Sequence, residues 1–463
     1  TYLFGKGGLQ ESAGEGGAID QGALFAGITR YHKLIERTDY LGQVLNQATL
    51  ALLGRDPGPV LLSIPYNVQK EEVDAALLDH VAFPQPAPLT PHGPLDTLAE
   101  LIHAARHPVI VAGYGCIKAG ARGLVAGLSE TYGIPVTTSL KGKGVVPEGS
   151  PLSLGCLGVT SNGEAYRYLV DQADLLIFLG AGFNERTSYL WDAKLLGGKK
   201  LGQVDADAAQ LGKVFRPDVA IHGDIAAVLS ELMRRLAELG TPRKALDALA
   251  AHQQARGVAS GTLTASSPAT NSPDDTAFAL MRAFFATLAA RFPEDAVLFD
   301  DNIVFAQRYF DVSHANHYFP NSGISSLGHA IPAALGARFA LGDAPVFAIL
   351  GDGGFHMCAL ELMTAVNYRL PLNVVLINNG GMSLIRKNQF QLYGGRYIDC
   401  DFINPDFRLL AQSFGMTHVA LESAADIDRL FAPGNPDIDL VHGLNLIELP
   451  LDKHAFPSYL SAR

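Results

Sequence analysis

The sequence has no cluster of lysine and arginine, no CxxC pair, and no apolar run long enough to cross a membrane as a helix. Each absence removes a class of function. Without a basic patch there is no electrostatic footprint for nucleic acid, and 46 acidic against 35 basic residues give a net charge of −11. Cys116, Cys156, Cys358 and Cys400 stand singly, so neither a zinc site nor a disulfide framework is indicated, and a reducing cytoplasm is the expected compartment. The opening "TYLFGKGGLQESAGEGG" has neither a basic nor an apolar leader region, so this stretch is not expected to be a signal peptide. It reads as the end of a strand running into a loop, and we expect the native protein to carry residues before it.

What is present is a soluble α/β chain long enough for several cores, with 48% apolar and 17% charged residues. "YLGQVLNQATLALLG" places Leu41, Val44, Leu45, Ala48 and Leu52 at helical spacing, and Gly54 stops the helix before a short strand at Val60–Ile64. Proline-rich "FPQPAPLTPHGP" (Phe83 to Pro94) is a candidate linker. Beyond it, "HPVIVAG", "IPVTTS", "ADLLIFLGAG", "LGQVDAD" and "VAIHGD" are strands alternating with helices, the pattern of a parallel sheet covered on both faces. A second linker runs through "GVASGTLTASSPATNSP", and "AVLFDD", "VFAILGDG", "LNVVLINN" and "LNLIELP" are the strands of a further α/β domain. The expected organisation is a partial domain over 1–83, a central domain over 94–240, a linker over 241–273 and a last domain over 274–463. The fold class is α/β with three doubly wound parallel-sheet domains, the first incomplete.

Chemistry concentrates in "GDGGFHMCALELMTAVNYRLPLNVVLINN". Asp352 and Asn379 sit at the carboxyl ends of two apolar strands joined by a helix, so a βαβ unit brings them side by side at the edge where open sheets bind ligands. Each offers a hard oxygen, and with a backbone carbonyl beyond Asn379 and phosphate oxygens they would complete an octahedral Mg²⁺ shell. Gly351, Gly353 and Gly354 are expected to let the chain turn sharply and let something approach the backbone, and Gly380 and Gly381 to leave backbone amides free for phosphate.

GDG followed by NN resembles the thiamine-diphosphate motif of the acetolactate-synthase-like enzymes, a family that includes pyruvate oxidases and 2-oxoacid decarboxylases. "SGISSLGHAIPAALGA" is similar to the family segment under the cofactor's aminopyrimidine ring, "TTSLKGKGVVPEGSPLSLG" to its middle domain, and "GRDPGPVLLSIPYNVQ" to the end of its pyrimidine-binding domain. The resemblance implies Mg²⁺ held by Asp352, Asn379 and the Gly381 carbonyl. It implies Leu327 as the apolar prop that bends the cofactor, Ser325 near the pyrimidine, and Asp301 and Asn302 near the diphosphate. Gly351, Gly353, Gly354 and Met382 complete the implied cofactor contacts.

The implied reaction is ylid attack on pyruvate or a related 2-oxoacid, decarboxylation, and transfer of the enamine to a carbonyl acceptor. A plain decarboxylase, a C–C lyase and a non-catalytic subunit that keeps the cofactor fold are the other readings. The family's activating glutamate is expected upstream of these residues, so neither Glu11 nor Glu15 is assigned that role. Gln10, on a loop the family brings to a neighbouring subunit's pocket, is a candidate catalytic residue, as are the proton donors His356 and His329. "GAGFNERTS" (Gly180–Ser188) lies where some relatives hold flavin and others do not, and FAD is not expected here. The resemblance also implies a homodimer or homotetramer, because the family grips its cofactor between subunits.

Overall fold

A computed structural model describes residues 19–54, 57–84, 90–255, 277–313 and 317–457. The chain divides into two compact units, Thr1–Pro88 and Leu89–Arg463. In the first, strands β1 (Tyr31–Leu34) and β2 (Val60–Ser63) pair in parallel, joined through the helix Leu41–Leu53. That helix buries Val44 and Ala48 and ends at Gly54, as its periodicity predicts. Ile35, Val44 and Val68 form a small core with Tyr31, Tyr40, Leu41 and Leu62 packed around it.

The second unit contains two six-stranded parallel sheets. The central one is built from β3 (Pro108–Ala112), β4 (Val136–Thr138), β5 (Ser153–Cys156), β6 (Leu175–Leu179), β7 (Lys200–Asp205) and β8 (Val219–His222), in the order β5-β4-β3-β6-β7-β8. Strands β3 and β6 are buried at every position. Alternation sends Ile110 and Ile177 to one core and Val111 and Phe178 to the opposite one, which is why these strands read as unbroken apolar runs. The order reverses between β3 and β6, the place where a doubly wound sheet usually opens a ligand crevice. Here glycines let the two strand ends close on each other: a Cβ on Gly115 would lie 2.7 Å from the Gly180 Cα. The Gly113 and Gly115 amides donate to the carbonyls of Leu179 and Gly180, at 2.8 and 3.1 Å.

After β6 the chain makes a left-handed turn. Tyr189, Leu190 and Trp191 all have positive φ (50°, 64° and 57°), a conformation that costs a residue with a Cβ on the order of 1–3 kcal/mol. Hydrogen bonds hold it: Leu190 N donates to Glu185 O, and Trp191 N to Ser188 Oγ, both at 2.8 Å. Part of the segment read as a linker is a helix, Asp247–Ala255, and Leu249 joins the central sheet's core.

The C-terminal sheet comprises β9 (Val297–Asp300), β10 (His317–Pro320), β11 (Val346–Gly351), β12 (Leu372–Asn378), β13 (Thr417–Ala420) and β14 (Leu444–Pro450), in the order β10-β9-β11-β12-β14-β13. Strands β5, β10 and β13 were not read from the sequence; each is four residues long and lies on an outer edge, where little apolar patterning is required. The two sheets are tied by a clasp in which Glu148 N donates to Val312 O and Val312 N to Glu148 Oε2, at 2.9 and 2.8 Å. Lys143 pairs with the same carboxylate, and both side chains are buried. Among the described residues no helix is long and apolar enough to cross a membrane.

The glycine contact yields a paired test. Gly115→Ala should cost about 1–3 kcal/mol through overpacking, whereas Gly127→Ala, mid-helix with only Met233 nearby at 3.8 Å, should gain up to about 1 kcal/mol. Urea denaturation of the two variants checks both signs.

Candidate active site at the carboxyl edge of the C-terminal sheet

Strands β11 and β12 are adjacent and parallel, with Gly351 opposite Ile377, so Asp352 and the two asparagines leave the sheet at the same level. The helix Asp352–Cys358 starts at the aspartate itself. Gly353 and Gly354 therefore lie in its first turn and have no positive φ. The sharp turn expected of them is absent; their smallness matters for packing. A Cβ on Gly354 would meet Asp301 Oδ2 at 2.6 Å, and one on Gly353 would meet the Met382 sulfur at 2.7 Å.

Asp352 is 1% exposed. Its Oδ2 accepts from three N–H groups: Asn379 N (3.0 Å), Gly380 N (2.6 Å) and Asn404 Nδ2 (2.8 Å). Its Oδ1 accepts from Gly353 N, at 2.9 Å. The carboxamide of Asn379 turns one atom toward Asp352 Oδ1 at 3.3 Å and the Gly381 carbonyl oxygen at 2.8 Å, and the other toward Ser383 Oγ at 2.6 Å. With nitrogen on the first side, it donates to both oxygens. With oxygen there, three oxygens face one another without a proton between them, an arrangement that needs a cation. Neighbouring ligands on a Mg²⁺ octahedron are about 3 Å apart, so the spacing suits a small hard divalent ion. Among the described residues no group of three or more His, Cys, Asp or Glu could hold a metal; the donor set here uses a carboxamide and a backbone carbonyl instead.

The amides expected to be free for phosphate are partly engaged. Gly380 N serves Asp352, and Met382 N donates to Cys400 O at 2.8 Å.

Asp301 organises the neighbouring loop. Buried at the end of β9, it accepts from Gly328 N (2.7 Å), His329 N (3.2 Å) and Asn321 Nδ2 (3.0 Å), pinning the segment that carries Ser325 and Leu327. Ser325 has φ 56° and Leu327 remains 36% exposed, so Leu327 is not an ordinary core residue. Asn302, also left-handed at φ 69°, accepts from Arg186 Nη1 at 2.8 Å and so binds the edge of the central sheet. Next to it, burial pushes the Asp300 carboxyl up to about 7, while donors from Tyr318, Ile303 and Gln307 pull the other way.

His356 is exposed and its ring lies 5.1 Å from that of Phe402; the His329 side chain is exposed on the pinned loop. Gln10, Glu11 and Glu15 lie outside the described residues. Four residues near the site were missed in the sequence: Asn404, Asn378, Glu448 and His418. Glu448 was detectable as a lone charge within the apolar run "LNLIELP", whereas nothing local marks Asn404.

With this geometry in place the comparisons are informative. Residues 95–232 match the central domain of thiamine pyrophosphate enzymes, and residues 301–433 match their C-terminal thiamine-pyrophosphate-binding domain. The two sheets thus define a thiamine pyrophosphate enzyme. The acetolactate synthase isozyme 1 large subunit of Escherichia coli K12 is 30% identical over 88% of this chain and 70% of its own length. The acetolactate synthase large subunit of Lactococcus lactis is 30% identical over 91% and 70%. A probable acetolactate synthase large subunit of Methanococcus aeolicus is 29% identical over 93% and 72%. The chain belongs to the acetolactate synthase large-subunit family of thiamine pyrophosphate enzymes. Its matched part spans 61–72% of the lengths of curated relatives.

The Asp301 clamp is open to experiment. Asp301→Ala should leave the Gly328 and His329 amides unpaired, cost about 1–3 kcal/mol, and expose Ser322–Ser326 to limited proteolysis in an otherwise folded protein.

Proposed function

We propose that the protein is a Mg²⁺- and thiamine-diphosphate-dependent carboligase of the acetolactate synthase type, acting on pyruvate or a related 2-oxoacid. The observation that carries this reading is the convergence of Asp352 Oδ1, the Asn379 carboxamide and the Gly381 carbonyl at octahedral spacing, beside a loop pinned by Asp301. When bound, the cofactor would supply the nucleophilic carbon needed for decarboxylation of a 2-oxoacid and transfer of its fragment to a second carbonyl.

The chain's own residues bind and orient. Asp352, Asn379 and Gly381 hold the cation that carries the diphosphate, and the small Gly353 and Gly354 keep the helix start close to it. Leu327, pinned through its neighbour Gly328 but unburied, would wedge the cofactor's rings. Ser325 offers backbone groups beside it. His356 and His329, both exposed near this edge, are the candidates to give a proton to the substrate. In the central sheet the Gly113 and Gly115 amides are already committed, so nothing at that switch point favours a flavin pyrophosphate. All four cysteines are free and buried, in keeping with a cytoplasmic enzyme.

We also propose a homo-oligomer, dimer or tetramer. Its support is an uncovered apolar row on the helical segment after Asp352: Met357, Leu360 and Met363 are 58%, 78% and 39% exposed, with Ile324 at 94%.

Two measurements test these readings. Full-length protein supplied with pyruvate, thiamine diphosphate and Mg²⁺ should form the two-substrate condensation product, and Asp352→Ala should abolish both cofactor binding and turnover. Acetaldehyde as sole product would make it a decarboxylase, and cofactor binding without turnover would make it a non-catalytic subunit. Leu360→Glu should shift the protein to a smaller species in sedimentation velocity, with its circular dichroism spectrum unchanged.

A further inference from the structure

Behind Asp352 runs a continuous chain of hydrogen bonds that no step above has used. Asn404 Nδ2 donates to Asp352 Oδ2 at 2.8 Å and also to Asn378 Oδ1 at 2.6 Å. Asn378 Nδ2 donates to Glu448 Oε1 at 2.6 Å, and Glu448 Oε2 lies 2.8 Å from His418 Nε2. The five residues come from five separate stretches of sequence: β11's end, β12's end, the 404 loop, β13 and β14, and in the last two Ala420 lies opposite Glu448. The side chains of His418 and Glu448 are 13% and 18% exposed.

The chain has a direction. An ionised carboxylate only accepts hydrogen bonds, whereas a carboxamide does either according to its orientation. Glu448 therefore forces Asn378 to turn its nitrogen toward it, which leaves the Asn378 oxygen facing Asn404. That oxygen, together with Asp352 Oδ2, requires Asn404 to present its nitrogen. Consistently, the Asn404 oxygen is buried and finds no partner among the described residues. An amide accepts that unfavourable end only where its nitrogen is strongly demanded, here by two acceptors.

We propose that Glu448, held by His418, acts through Asn378 and Asn404 as a positioning relay: it saturates Asp352 Oδ2 and so keeps Oδ1 turned toward the Asn379 and Gly381 oxygens as a cation ligand. Glu448 is a positioning residue, remote from the reacting atoms. Outer partners of metal ligands of this kind commonly alter metal affinity 10–100-fold. The inference rests on the cation site proposed above.

The test is Mg²⁺ affinity of the full-length protein at saturating thiamine diphosphate, measured by calorimetry, with the melting temperature of the cofactor-free protein read in parallel. Glu448→Gln lets the amide at 378 reverse, and should raise the Mg²⁺ Kd about tenfold or more while leaving the cofactor-free melting temperature unchanged. Asn404→Ala, on a half-buried loop, cuts the relay without touching a strand and should give a similar loss. The double variant should be no worse than Asn404→Ala alone, since the two residues act in series. His418→Gln, which keeps an N–H donor, should retain affinity that His418→Ala loses. If the wild type binds Mg²⁺ and Glu448→Gln and Asn404→Ala bind it equally well, the relay is overturned and the site stands. Additive losses, or losses tracking a lowered melting temperature, also overturn it. A wild type without Mg²⁺ uptake overturns the site and the relay together.

Discussion

A buried carboxylate with no ion-pair partner among the described residues organises this protein. Asp352 is 1% exposed, at the end of a strand with no polar residue in its interior, and it is supported entirely by neutral N–H groups. Burying an unpaired charge is among the more expensive things a fold can do. Here four donors offset the cost, and two of them are backbone amides that exist in the right place only because β12 runs parallel to β11 in this register. The remaining oxygen faces the Asn379 carboxamide, which also faces the Gly381 carbonyl.

The register explains how much could be read in advance. Both six-stranded sheets were visible as apolar runs alternating with amphipathic segments, because strands such as β3, β6, β11 and β12 are covered on both faces and admit little else. Proximity of Asp352 and Asn379 followed from reading their two strands as the parallel neighbours of a βαβ unit. Strands β5, β10 and β13 escaped because edge positions impose weaker patterns. Apolar residue type alone does not say which face is core: Leu360 and Met363 are 78% and 39% exposed.

The parts that were not legible depend on contacts between distant stretches. Asp301 looked like a group near phosphate; its oxygens are occupied by the amides of Gly328 and His329, a partnership that requires β9 and the loop to be already in place. Asn404 lies far along the chain from Asp352, in a loop without periodicity, and its importance comes only from tertiary placement. The glycines after Asp352 were read both as turn formers and as places of close approach; they make no sharp turn, and what approaches them is Asp301 and Met382, neighbours that only the tertiary structure identifies. Residue type pointed to strand ends that the structure does bring together, and said little about the contacts each residue makes there.

The left-handed turn after β6 has a practical side. Trp191 is the chain's single tryptophan, and it sits 55% exposed on that turn. Its emission is therefore a local optical signal of the central sheet, undiluted by any other indole. Following it beside a whole-chain probe such as far-ultraviolet dichroism would separate loss of this sheet from loss of the cofactor-binding one.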